Sequence, residues 1–216
     1  MRSEGARTIL LLLVACMLLL ANACAGPGQL AVEPIATTEN PADLIRRLEN
    51  DLETARKNQI DVLSPTWFAR SEASLADAKK GREQRESPSE ILGNVAYGRA
   101  QLRRAEETAG VARNALPEAV QARDLARAAG APSFGKEYAE AEESFLELTK
   151  AIEGNDLDRA RRNQGKVVRA FDRIELRAIK ENALGKARTL IAQAEKEGAA
   201  RLAPETLEAA RKTLAE

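Results

Sequence analysis

The side chains best equipped for chemistry are few, and they are unevenly placed. Of 216 residues only Cys16 and Cys24 are thiols, both close to the N-terminus, and there is no histidine at all. Without histidine the chain lacks the usual general base and the commonest metal ligand. Its carboxylates offer two close sets, Glu142 with Glu143 and Asp156 with Asp158. Neither set comes with a Cys or a loop pattern, and acidic residues favour helix starts in any case. No P-loop, GxGxxG, GxSxG or CxxC occurs. These residues predict no catalytic group, no metal site, no cofactor and no small-molecule substrate, so the chain is expected not to be an enzyme.

Charge narrows the partners. Thirty-three Lys and Arg balance 33 Asp and Glu, which argues against nucleic acid. The run "GRAQLRRAEE" (98–107) is basic and then acidic at spacings that support pairs within a helix. The lone tryptophan, Trp67, stands beside Phe68 at a helix start. This pair reads either as an anchor for a protein partner or as packing at the end of a bundle.

Both thiols sit in or just after an apolar leader. Arg2 and Arg7 precede an uncharged, leucine-rich stretch from Thr8 to Ala23, and small residues follow. This is the layout of a secretory signal, and no basic stop-transfer cluster follows it. "LANAC" (20–24) resembles the bacterial lipobox through Leu20, Ala21, Ala23 and Cys24, with Asn22 as its one departure. The resemblance implies that Cys24 is lipidated and becomes the mature N-terminus. With Ala25 after it, sorting to the periplasmic face of the outer membrane is implied. Cys16 ends a second such string, "LLVAC", but use of it would leave "MLLLANA" exposed. Ordinary cleavage is the other reading, and it would leave Cys24 unpaired in an oxidising compartment.

These features set the expected boundaries: a signal peptide over 1–23, a flexible tether over 24–39, and helices beyond. Alanine fills 41 positions, and with Leu, Glu, Lys and Arg it makes a strongly helix-forming body with thin cores. Short helices are predicted near 65–80, 134–153 and 204–216, and long ones near 88–129 and 156–198. Asn40-Pro41, Ser64-Pro65 and Ser87-Pro88-Ser89-Glu90 supply helix starts. Gly154 ends one helix and Asn155 with Asp158 opens the next. Gly165 inside a helix pattern implies either close helix packing or a local loss of stability.

The body also repeats. "VLSPTWFARSEASLADA" (62–78) matches "RLAPETLEAARKTLAE" (201–216) at an offset of 139, and "APSFGKEYAEAEESFLEL" (131–148) is a looser copy between them. A period near 70 residues marks a repeat architecture. The expected fold is all-α, an elongated array of helical hairpins and spectrin-like three-helix bundles that share their long helices. Bundle one spans 40–110 and bundle two 111–181. A partial third unit spans 182–216, whose open face suggests a longer or incomplete chain. Pro117 and Gly185 fall where one bundle hands over to the next.

The strings "SPTWFARSEASLADAKKG", "NVAYGRAQLRRAEE", "LPEAVQARDLARAAGA" and "FGKEYAEAEESFLELTKAIE" resemble the helical N-terminal region of an uncharacterised family of bacterial outer-membrane lipoproteins. In many members an OmpA-like, peptidoglycan-binding domain follows. The resemblance implies a non-enzymatic envelope lipoprotein, held to the membrane at Cys24, whose helical rod acts as a periplasmic spacer or scaffold toward the cell wall. The resemblance assigns peptidoglycan binding to no particular residue of this chain, and a protein partner or peptidoglycan is the expected contact. The alternative is an adaptor whose helical surface holds a protein partner.

Overall fold

The computed structural model describes residues 30–215. The leader, Cys16 and Cys24 lie outside the described residues. Among the described residues the chain is helical, without strands. In chain order the helices are α1 (Pro41–Lys57), α2 (Ile60–Leu63), α3 (Pro65–Glu83), α4 (Pro88–Ala115), α5 (Pro117–Ala128), a 3-10 turn (Ala131–Phe134), α6 (Lys136–Glu153), α7 (Leu157–Lys196), α8 (Ala199–Leu202) and α9 (Pro204–Ala215).

Local chemistry explains most starts. Asn40 accepts a hydrogen bond from the Ala42 N–H, and Ser87 with Glu90 forms a reciprocal capping box. Two starts differ from expectation. Asp156, not Asn155, caps α7 by accepting from the Arg159 N–H, while Asn155 takes a left-handed conformation at φ 61°. Ser64 provides no side-chain cap to α3; that task falls to a residue far along the chain.

The helix predicted over 88–129 is two helices. Pro117 has no N–H to give, and its ring disfavours helical geometry at the preceding residue. Leu116 sits at φ −129° between α4 and α5, yet it is fully buried. Gly185 has the opposite outcome, because α7 passes through it as one helix of 40 residues, about 60 Å long.

Packing joins the elements in groups. Helices α1, α3 and α4 pack on one another, with α2 against α3 and α4. Helix α7 packs on both α5 and α6 through Ala160, Val167, Phe171, Ile174 and Ala178, and its later part packs on α9. One hydrophobic core runs without a break from Leu44 to Ile174, through Ala112, Leu116 and Ala119 at the α4–α5 junction. The Phe171 ring meets Tyr138 and Phe145 edge-on, with centroids 6.1 and 6.3 Å away.

Close approach in the first group depends on Gly98. A Cβ there would stand 2.6 Å from Leu48 Cδ2, and the buried Ser71 hydroxyl donates to the Gly98 carbonyl at 2.7 Å. Of the two readings of Gly165, close packing is not the one seen: a Cβ there would meet only the Arg169 side chain. Part of the segment before α1 contacts the helices. Arg103 on α4 holds it by the Glu33 carboxylate and the Ala31 carbonyl, and Ile35 packs against the core.

Candidate functional site

Three turns close the helix pairs α1–α3, α5–α6 and α7–α9, and each begins with a left-handed residue: Gln59 (φ 62°), Gly130 (φ 94°) and Gly198 (φ 91°). Each is followed by a four-residue helical turn, α2, the 3-10 turn or α8. Gln59 lies 139 positions before Gly198, as Pro65 does before Pro204. A non-glycine residue at positive φ carries backbone strain, and here the Gln59 side chain is held at both ends. Its carboxamide oxygen accepts from Arg123, and its nitrogen donates to Asp124 at 3.0 Å.

Arg123 is the most deeply buried charge among the described residues. Its side chain is 7% exposed, and that of its partner Glu142 is 19% exposed. The guanidinium Nε donates to both Glu142 oxygens, at 2.8 and 3.0 Å, and lies 5.3 Å from the Phe145 ring centre. Tyr138 donates its hydroxyl to the same carboxylate. Burial, then the hydrogen bond to Glu142 and its charge, push the Tyr138 phenol well above its ordinary value. Glu142 is therefore a structural acceptor for two donors, and Glu143 is not part of the cluster. The arrangement braces α5, α6 and the α1–α2 turn together.

A second clasp completes this junction. Glu153, at the end of α6, accepts from the backbone N–H of Thr66 and of Trp67, each at 3.0 Å, and from the Ser64 hydroxyl at 2.8 Å. Thr149 donates to the Val62 carbonyl at 2.8 Å. Trp67 is part-buried with the Arg70 guanidinium 4.6 Å from its ring centre. Phe68 is 2% exposed inside the first group, so it presents no surface to a partner. Asp156 is used as a helix cap.

Exposed apolar side chains lie on α4 (Tyr97 and Val111) and α5 (Leu125), and most of them on α7 and α8. Leu176 is 55% exposed, Ile179 51%, Leu190 66% and Leu202 73%. Sequence periodicity did not single these out, because in a repeating pattern they look like ordinary core positions. Among the described residues, no group of three or more His, Cys, Asp or Glu is placed to hold a metal ion, and no helix is long and apolar enough to cross a membrane. Compared with known proteins, the chain matches no family model, no curated protein and no solved structure.

Proposed function

We propose that this chain is a non-enzymatic cell-envelope lipoprotein, anchored through acylated Cys24 at the periplasmic face of the outer membrane, with its helical body as spacer and scaffold. The observation that carries the reading is the N-terminal string itself, an uncharged apolar run ending in "LANAC" ahead of a wholly helical body. Acyl burial contributes about 0.8 kcal/mol per CH₂, so two or more chains anchor stably. A body made of long helices braced by buried polar clasps suits a spacer, because each clasp fixes how successive hairpins meet.

The body is further read as a spectrin-like array. Support comes from the left-handed turns at 59, 130 and 198, spaced near the 70-residue sequence period, and from the sharing of α7 between α5–α6 on one side and α9 on the other. The likeness to outer-membrane lipoproteins with a following OmpA-like domain extends the reading toward the cell wall. Fractionation of a Cys24→Ser variant tests the anchor. The variant is expected in the soluble periplasmic fraction; unchanged membrane association would exclude lipid anchoring at Cys24.

The second reading, an adaptor for a protein partner, is favoured by one observation: the exposed leucines of α7 and α8.

A further inference from the structure

We propose that the outward face of α7 is an electrostatic docking surface for an anionic phospholipid bilayer, which holds the helix along the membrane. The proposal deepens the scaffold side of the reading above and rests on that reading for the presence of a membrane.

The chain as a whole is neutral, but α7 is not. Between Arg159 and Lys180 it carries eight Lys or Arg against two carboxylates, Asp172 and Glu175. Helical geometry gathers the cations. At 100° per residue Arg162, Lys166, Arg169, Arg173 and Lys180 fall within a sector of about 60°, and from 162 to 180 no other residue shares it. The sector lies about 140° round the helix from Val167, Phe171, Ile174 and Ala178, the side buried against α5 and α6. All five cations are exposed. With Arg159 and Arg177 at its border, the row runs for about 32 Å.

The neighbouring helix α6 is rich in Glu, yet the row uses little of that charge. Arg177 pairs with Glu137 at 2.8 Å, and Arg159 stands 3.9 Å from Glu147. Glu140 meets Lys136 instead, and Glu147 also holds Lys150. The five cations of the sector make no ion pair among the described residues. Like charges at this spacing destabilise a helix, and an external anionic surface relieves that cost.

The make-up of the row selects its partner. Protein interfaces have centres depleted of charge, and this sector holds no apolar side chain. Single-stranded nucleic acid stacks on aromatic platforms, and the sector holds no ring. Arginine forks match phosphate oxygens two at a time, and three of the five cations are Arg, as are both at the border. Leu176, 55% exposed, flanks the row on the side away from α6. An apolar side chain beside a row of cations fits the boundary between headgroups and acyl chains. Anionic lipid presents both layers, and basic side chains near such a surface are drawn to it.

The test uses the chain from Ala25 onward, which keeps every described helix and has no acyl group. It is mixed with vesicles of phosphatidylcholine alone, or of equal parts phosphatidylcholine and phosphatidylglycerol. Flotation with the anionic vesicles is expected to exceed that with the neutral ones by about tenfold or more, and to fall as salt is raised. Arg162→Gln/Lys166→Gln/Arg169→Gln/Arg173→Gln should weaken it by about tenfold or more, with helicity by circular dichroism unchanged. Arg47→Gln/Lys80→Gln/Arg82→Gln/Arg85→Gln removes the same charge elsewhere and should weaken it much less. Equal binding to the two kinds of vesicle, or equal loss in the two variants, overturns the proposal. So does a chain that ignores vesicles but sediments with purified cell-wall sacculi until the first set of substitutions is made, since the occupant is then a wall polyanion. The chain tested lacks Cys24, so failure here leaves the anchor reading standing, and loss of the anchor reading leaves this binding unchanged.

Discussion

Glu153 and Thr66 stand 87 residues apart in sequence, and the carboxylate of one accepts a hydrogen bond from the backbone N–H of the other at 3.0 Å. The end of α6 thereby caps the start of α3. A negative charge at a helix N-terminus satisfies unpaired N–H groups and meets the favourable end of the helix dipole.

Glu153→Ala is expected to cost about 1–2 kcal/mol, because it also strips the fully buried Ser64 of its partner. Glu153→Gln keeps an acceptor and should cost less. Urea denaturation compares both with Glu143→Ala as a control; equal stability of the Ala pair would contradict the clasp.

Arg123→Met leaves Glu142 and the Gln59 carbonyl oxygen without their main donor. A loss of about 2–4 kcal/mol is expected. Adding Glu142→Leu should recover part of it, since the uncompensated charge is then gone. A double-mutant cycle in urea measures the coupling, and strictly additive losses would rule it out.

Glycine substitutions should differ in sign. Gly93 and Gly110 face open space, whereas a Cβ at Gly98 meets Leu48. Gly93→Ala and Gly110→Ala are expected to stabilise by up to about 1 kcal/mol. Gly98→Ala should destabilise by about 1–3 kcal/mol despite the same gain in helix propensity. Thermal unfolding reports all three, and stabilisation by Gly98→Ala would contradict the close packing of α1 on α4.

The Tyr138 phenol is raised in the folded state, first by burial and then by Glu142. Below its unfolded value of about 10 both states hold the proton and stability is unaffected. Above about 10 the unfolded chain releases a proton that the folded chain keeps from leaving, so stability falls as pH rises. Unfolding free energies at pH 9 and 11 should diverge less in Tyr138→Phe than in the parent chain. Identical pH dependence would contradict the part-buried hydrogen bond from Tyr138 to Glu142.

What was legible in the sequence was local. Asn40, the Ser87–Glu90 box and the prolines at 41, 65, 88 and 204 each fix a helix start through bonds spanning a few residues, and they read correctly. Ser64 misled because its own geometry at α3 is non-capping and the real cap arrives from Glu153. Pro117 marked a hand-over between bundles within one long helix; that the helix divides there, with Leu116 buried in a continuous core, was not legible. Gly98 and Arg123 were missed for the same reason. The role of one depends on Leu48 and Ser71, and that of the other on Gln59, Glu142 and Phe145, all distant in sequence. The exposed leucines at 190 and 202 were invisible as such, since periodicity marks an apolar face without saying whether a helix covers it.

The central claim is lipid anchoring of a helical spacer through Cys24, and the most direct measurement is the intact mass of the mature chain purified from membranes. The account predicts a chain beginning at Cys24 and carrying a diacylglyceryl group on its sulfur. An unmodified chain, or one beginning at any other residue, would contradict it.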